Sequence, residues 1–173
     1  MNNVLDILNT EELKSILKTL CKDPDMAEKV EFIANKNICK VNIEEVAADV
    51  FDALDFLDVE DLWSSSGAQV GGGYEDPGDV AYQMVEDALE PFSKRLYEYS
   101  NLELHNEAKL YCMGILKGIM QYTKNSDSKF KDWAADCPDT CFENILSEWK
   151  KNCSNVEHIK EMDDYVQALS EAD

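Results

Sequence analysis

The 173-residue sequence is poor in several things at once, and each shortage removes a class of function. No stretch approaches the roughly 18 uninterrupted apolar residues that a membrane-spanning helix needs. Basic residues are few: 16 Lys and Arg stand against 36 Asp and Glu, a net charge of −20. A surface of that sign repels nucleic acid and anionic membrane, so neither is expected as a partner. There are only two histidines, His105 and His158, and neither sits in a catalytic motif. The Glu-x-x-His pair that helices of a di-iron bundle carry does not occur. The opening residues, Met1 to Asp6, lack a basic segment and a long apolar run, so a secretory signal is not expected. We therefore expect a cytoplasmic protein whose six cysteines are reduced, most of them small buried hydrophobes.

Two-residue alternation is never sustained, whereas helical periodicity is dense. The richest stretch is Leu104 to Tyr122. There Leu104, Ala108, Tyr111, Cys112, Ile115, Leu116, Ile119 and Tyr122 recur at steps of three and four. Leu110, Met113 and Met120 make much of the remaining circumference apolar, so this helix needs cover on several sides. Gly114 and Gly118, four apart, point to another backbone packing closely against them, because glycine costs a helix about 1 kcal/mol relative to alanine.

Around this central helix the sequence predicts about eight amphipathic helices packed as antiparallel hairpins, an all-α fold allied to helical repeats. Asn9 and Glu12 make a capping box before a stripe of Leu13, Ile16, Leu17 and Leu20. Asp23-Pro24 opens a second helix with Met26, Val30 and Ile33 facing inward. Asn42 caps a third, with Val46, Ala47, Val50, Phe51, Leu54 and Leu57 on one face and Asp49, Asp52, Asp55 and Asp58 outside. The Gly- and Ser-rich stretch 64–76 reads as a flexible loop within one domain spanning 1–173, between an N-terminal part (5–62) and a larger C-terminal part (77–170). It lacks the Gly-Lys-Ser/Thr of a phosphate cradle. Asp76-Pro77 opens the next helix, whose apolar register continues past Pro91, which implies a kink rather than a break. Asn101 is the expected cap of the central helix, and Ser154 with Glu157 the capping box of the last one. Phe130 and Trp133 anchor a short helix. Phe142, Ile145, Leu146 and Trp149 turn inward on the next, and Val156, Ile159, Met162, Val166 and Leu169 on the last.

The run Gly73-Tyr74-Glu75-Asp76-Pro77-Gly78, with Glu90-Pro91-Phe92 further on, resembles the helical segments of uncharacterised prokaryotic proteins that accompany SWIM-type zinc fingers. The likeness covers roughly residues 70–150 and implies tandem helical hairpins with an interaction role rather than catalysis. The finger itself, a Cys-x-Cys pair followed by Cys-x-His, is absent, so no zinc ligand carries over.

Three functional readings follow. The first is a non-catalytic scaffold, with no cofactor, that binds a protein partner with a basic surface. The second is a metal-binding or redox-responsive protein using Cys137, Cys141, Cys153 and His158, whose ligand types and number suit tetrahedral zinc. Cys141 and Cys153 would lie about 18 Å apart along one helix, against the roughly 4 Å that two thiolates on one zinc require. Within that set Cys137, at a helix N-terminus before Pro138, is the expected reactive thiol and Cys141 its resolving partner. The third is an acidic DNA-mimic inhibitor carried by Asp49, Asp52, Asp55, Asp58 and Asp61. Steps of three drift around a helix by about 60° each, so the row winds rather than tracking a phosphate strand.

Overall fold

A computed structural model of the chain describes residues 8–38, 40–68 and 73–171, and the side chains of all of these except 35–38. The fold is all-α, with eight α-helices among the described residues: α1 (Thr10–Leu20), α2 (Pro24–Ile38), α3 (Ile43–Asp55), α4 (Val59–Ser65), α5 (Pro77–Asn101), α6 (His105–Asn125), α7 (Cys137–Asn152) and α8 (Val156–Glu171). A 3-10 turn, Lys129–Trp133, links α6 to α7. The chain forms two compact units, Met1–Lys40 and Val41–Asp173. The stretch 64–76 therefore lies inside the second unit, where α3 and α4 before it pack with α5 beyond it. Among the described residues no helix is long and apolar enough to cross a membrane.

The helix α6 is the centre of the second unit. It touches α3, α5, α7 and α8, and buries Ala108, Cys112, Met113, Ile115, Leu116, Ile119 and Tyr122. This is why a helix apolar almost all round is stable here: each face has a neighbour. Both glycines face α3. A Cβ on Gly114 would come within 2.6 Å of Val46 Cβ, and one on Gly118 within 2.6 Å of the Ala47 carbonyl oxygen and Val50 Cβ. The close approach is backbone against backbone, as the glycine pair implies. The charges of α6 are placed with the same economy. Lys109, almost buried, pairs with Glu161 of α8, and Lys117 Nζ lies 2.5 and 2.7 Å from the two carboxylate oxygens of Glu44 on α3. At the other end Lys131 Nζ donates to the carbonyls of Thr123 (2.7 Å) and Ser126 (3.0 Å), satisfying acceptors that the end of a helix leaves open.

Local capping decides the helix ends, and it differs from expectation twice. Asn9 and Glu12 do form the reciprocal box, while Asn42 and Asp76 each accept one first-turn N–H. Asn101, however, is the last residue of α5, and α6 begins after Leu104 with no side-chain cap. The turn between them is closed from the other side. Glu103 N–H donates to Ser100 O and Leu104 N–H to Tyr99 O, with Glu103 at φ 58°, which is the Schellman closure of a helix end. The second difference is at α8. Asn155 rather than Ser154 accepts from Glu157 N (2.9 Å) and His158 N (3.4 Å), because asparagine caps as well as serine and stands one residue closer to the first turn. The helix α5 runs unbroken through Pro91.

Apolar periodicity overstated burial in the first unit. In α1 no residue is buried, and Leu13, Ile16, Leu17 and Leu20 are 37 to 46% exposed. In α2, Met26, Phe32 and Ile33 are exposed too. The stripe is present in the sequence, but a stripe specifies only which side is apolar and not that a neighbour covers it. Val156, expected inside, is likewise exposed, while Met162 is fully buried. The break at 64–76 contains a small pairing that two-residue alternation cannot signal: Gly67 pairs with Glu75 and Ala68 with Tyr74, antiparallel. Residues 69–72 of that loop lie outside the described residues.

Candidate functional site

The surface feature with the most chemistry is a groove between α5 and α7, made of two adjoining hollows of about 230 Å³ each. They share Ser93, Ile145 and Glu148. Its position follows from the stripes of the two helices. Leu89 and Leu96 of α5 and Ile145 and Trp149 of α7 are buried and form the floor. The next residues round each helix are carboxylates in water: Glu86 and Glu90 on α5, and Glu148 on α7. One cation, Lys94, lines the groove, and its Nζ is 2.8 Å from Glu90. Glu86 and Glu148 have no ion pair among the described residues. Two carboxylates thus remain to attract a cation over an apolar floor. Tyr97, 60% exposed, stands at the far end beside Trp149.

Cys141 lines the other end of this groove. One turn earlier Cys137 is the first residue of α7, and the two sulfurs are 3.9 Å apart. Both thiols are buried, and Cys137 Sγ is also 3.7 Å from the carbonyl oxygen of Tyr82. The pair behaves as one unit toward protons. The Cys137 thiol is pushed well up, first by its hydrogen bond with Cys141, then by burial and by the charges of Cys141 and Glu86. The Cys141 thiol is lowered by the same hydrogen bond, against burial and the charge of Glu86.

The other candidate ligands are elsewhere. Cys153 is the C-cap of α7, about 18 Å along the helix axis from Cys141, with its sulfur 3.6 Å from Asn155 O. His158 lies in the first turn of α8, and its buried Nδ1 has no hydrogen-bond partner among the described residues. Of the four, the structure brings together Cys137 and Cys141 and leaves out Cys153. Among the described residues no group of three or more His, Cys, Asp or Glu is placed to hold a metal ion. Cys112 is buried in α6, where desolvation raises its thiol far above the ordinary range, and Cys21 is exposed. Cys39 lies outside the described residues.

The aspartate row is divided. Asp49, Asp52 and Asp55 belong to α3, which ends there; Asp58 caps α4 by accepting from Glu60 N, and Asp61 is in α4. Asp55 also accepts a hydrogen bond from the Ser126 hydroxyl. The groove carboxylates escaped the sequence reading. Their signal was the four-residue step from Glu86 to Glu90 beside a buried stripe, but which helix would face it is a tertiary matter.

No family model matches the chain, and neither a curated protein nor a solved structure is similar to it.

Proposed function

We propose that this protein is a non-catalytic interaction scaffold whose α5–α7 groove receives a basic amphipathic segment of another protein. The observation that carries this reading is the join of an apolar floor (Leu89, Leu96, Ile145, Trp149) to a rim with two carboxylates, Glu86 and Glu148, that have no ion pair among the described residues. Apolar contact supplies affinity on such a surface, while charge selects the partner and speeds the encounter. The net charge of −20 extends the same preference beyond the groove. An interaction role is also what the likeness to the helical segments beside SWIM-type fingers implies.

The test uses an amphipathic helical peptide of lysine and leucine, with a glutamate and leucine peptide of the same pattern as control. The basic peptide is expected to bind with a change in Trp149 fluorescence, and more weakly as salt rises. The double replacement Glu86→Lys and Glu148→Lys should weaken it about tenfold or more, since each 1.4 kcal/mol is a factor of ten. Both side chains are in water, so folding is not at issue. Equal affinity of the variant, or equal binding of the acidic peptide, would remove the groove from consideration.

A further inference from the structure

We propose that Cys137 and Cys141 are a reversible thiol–disulfide pair that reacts, through Cys141, with small disulfides of the glutathione class. This inference is independent of the scaffold reading. It rests first on distance. The sulfurs are 3.9 Å apart with no side chain to bring across the protein, so closing the bond needs side-chain rotation within one turn. Helix geometry sets the two Cα atoms about 6.2 Å apart, inside the span that disulfides bridge. Cys137 is the first residue of α7, and its N–H bonds to Ala134 O in the preceding turn rather than into the helical ladder. The end that must adjust is therefore the one least held by helical hydrogen bonds.

Access separates the two roles. Cys141 lines the α5–α7 groove, whereas Cys137 lies behind it with its sulfur near Tyr82 O. The lowered proton affinity of Cys141 agrees with that order, and it exchanges the nucleophilic and resolving parts expected from helix position alone. The Cys141 thiolate attacks one sulfur of the small disulfide. That S–S bond breaks, a mixed disulfide forms, and the first small thiolate leaves and takes a proton from water. Cys137 then loses its proton to water and attacks Cys141 Sγ, expelling the second small thiolate. Two protein thiols are oxidised by two electrons, and one small disulfide becomes two thiols. A metal site is the weaker use of the same sulfurs, since no third ligand joins them among the described residues.

Cleavage after Lys131 and Lys150 releases a peptide that holds Cys137 and Cys141 and no other cysteine. The reduced protein is incubated with oxidised glutathione, blocked with N-ethylmaleimide in denaturant, digested with trypsin and weighed. The wild-type peptide is expected to be lighter by two hydrogens and to carry neither glutathione nor maleimide. In Cys137→Ser the peptide should trap one glutathione on Cys141, at least about tenfold faster than Cys137 gains one in Cys141→Ser. The exposed Cys21 is the internal reference for reagent strength. If both wild-type thiols still take maleimide when Cys21 is fully glutathionylated, the pair does not react. Equal rates in the two serine variants would overturn the assignment of roles. The wild-type peptide decides the first question even where a variant fails to fold.

Discussion

Replacement of Gly118 by alanine should destabilise the Val41–Asp173 unit, although alanine is the better helix former. The substitution gains about 1 kcal/mol of helix propensity. Against this, the new methyl would sit 2.6 Å from both the Ala47 carbonyl oxygen and Val50 Cβ. The first of these is backbone, so relief requires α3 to move as a body rather than one side chain to turn. Overpacking of this kind costs about 1 to 3 kcal/mol, and the backbone contact places it at or beyond the upper end. A net loss of about 2 kcal/mol follows, a fall in Tm of roughly 6 to 10 °C for a unit of this size. Gly114→Ala meets the Val46 side chain at 2.6 Å, with the nearest backbone atom, Ile43 O, at 3.1 Å. Combining the two should cost less than their sum, because α3 moved away from one methyl is already partly clear of the other. Thermal unfolding followed by circular dichroism measures all three. A Gly118→Ala protein that melts at or above the parent temperature would mean that α3 is not held against α6 as described.

Alkaline pH provides the second large effect. Burial pushes the hydroxyls of Tyr111, Tyr122 and Tyr165 up to about 12 from an ordinary value of 10. The sign follows from the direction. A raised folded value means that the folded chain keeps protons the unfolded chain releases, so the stabilisation is complete below pH 10 and lost as pH climbs toward 12. After allowance for solvent screening, the three together account for roughly 3 kcal/mol across that window. Tyr122 separates this cause from other alkaline titrations. Its ring is buried against Phe51 and beneath Lys131, yet its hydroxyl has no hydrogen-bond partner among the described residues. Tyr122→Phe should therefore gain about 1 kcal/mol at neutral pH, by removing a buried and unsatisfied group. It should also soften the alkaline decline. Denaturant unfolding at neutral pH and between pH 10 and 12 reads both effects. A variant less stable than the parent at neutral pH, with the same alkaline slope, would show that the hydroxyl is satisfied.

What the sequence made legible was what a residue's near neighbours along the chain determine. The stripe of α6 could be read because burial on several faces left it almost no polar position, and the capping of α1, α3 and α5 because Asn9, Asn42 and Asp76 act within three residues. Asn101 and Ser154 failed for a local reason as well: each had a competitor nearby, the Schellman turn at Glu103 and the side chain of Asn155. Leu13 and Ile33 failed for a different reason. Periodicity reports a helix's apolar side, and whether anything covers that side is decided far away in sequence. The same limit hid the groove. Glu86, Glu90 and Glu148 meet only because α5 and α7 lie side by side, 58 residues separating Glu90 from Glu148. The thiol pair was half legible. Its four-residue spacing promised proximity, while which of the two residues lines the groove depended on how the neighbouring helix packs.

The burial of α6 has a consequence for how the molecule opens. Amide hydrogens exchange with solvent only when their hydrogen bonds break, through openings that range from frayed ends to complete unfolding. Between Cys112 and Ile119 the helix is enclosed by α3, α5, α7 and α8, so no fraying of one neighbour frees it. Deuterium should enter that segment last, at a rate set by the stability of the whole second unit. In α1, where no residue is buried, it should enter early. The exchange rates of those eight central residues are thus a direct gauge of global stability, readable in the native protein without denaturant.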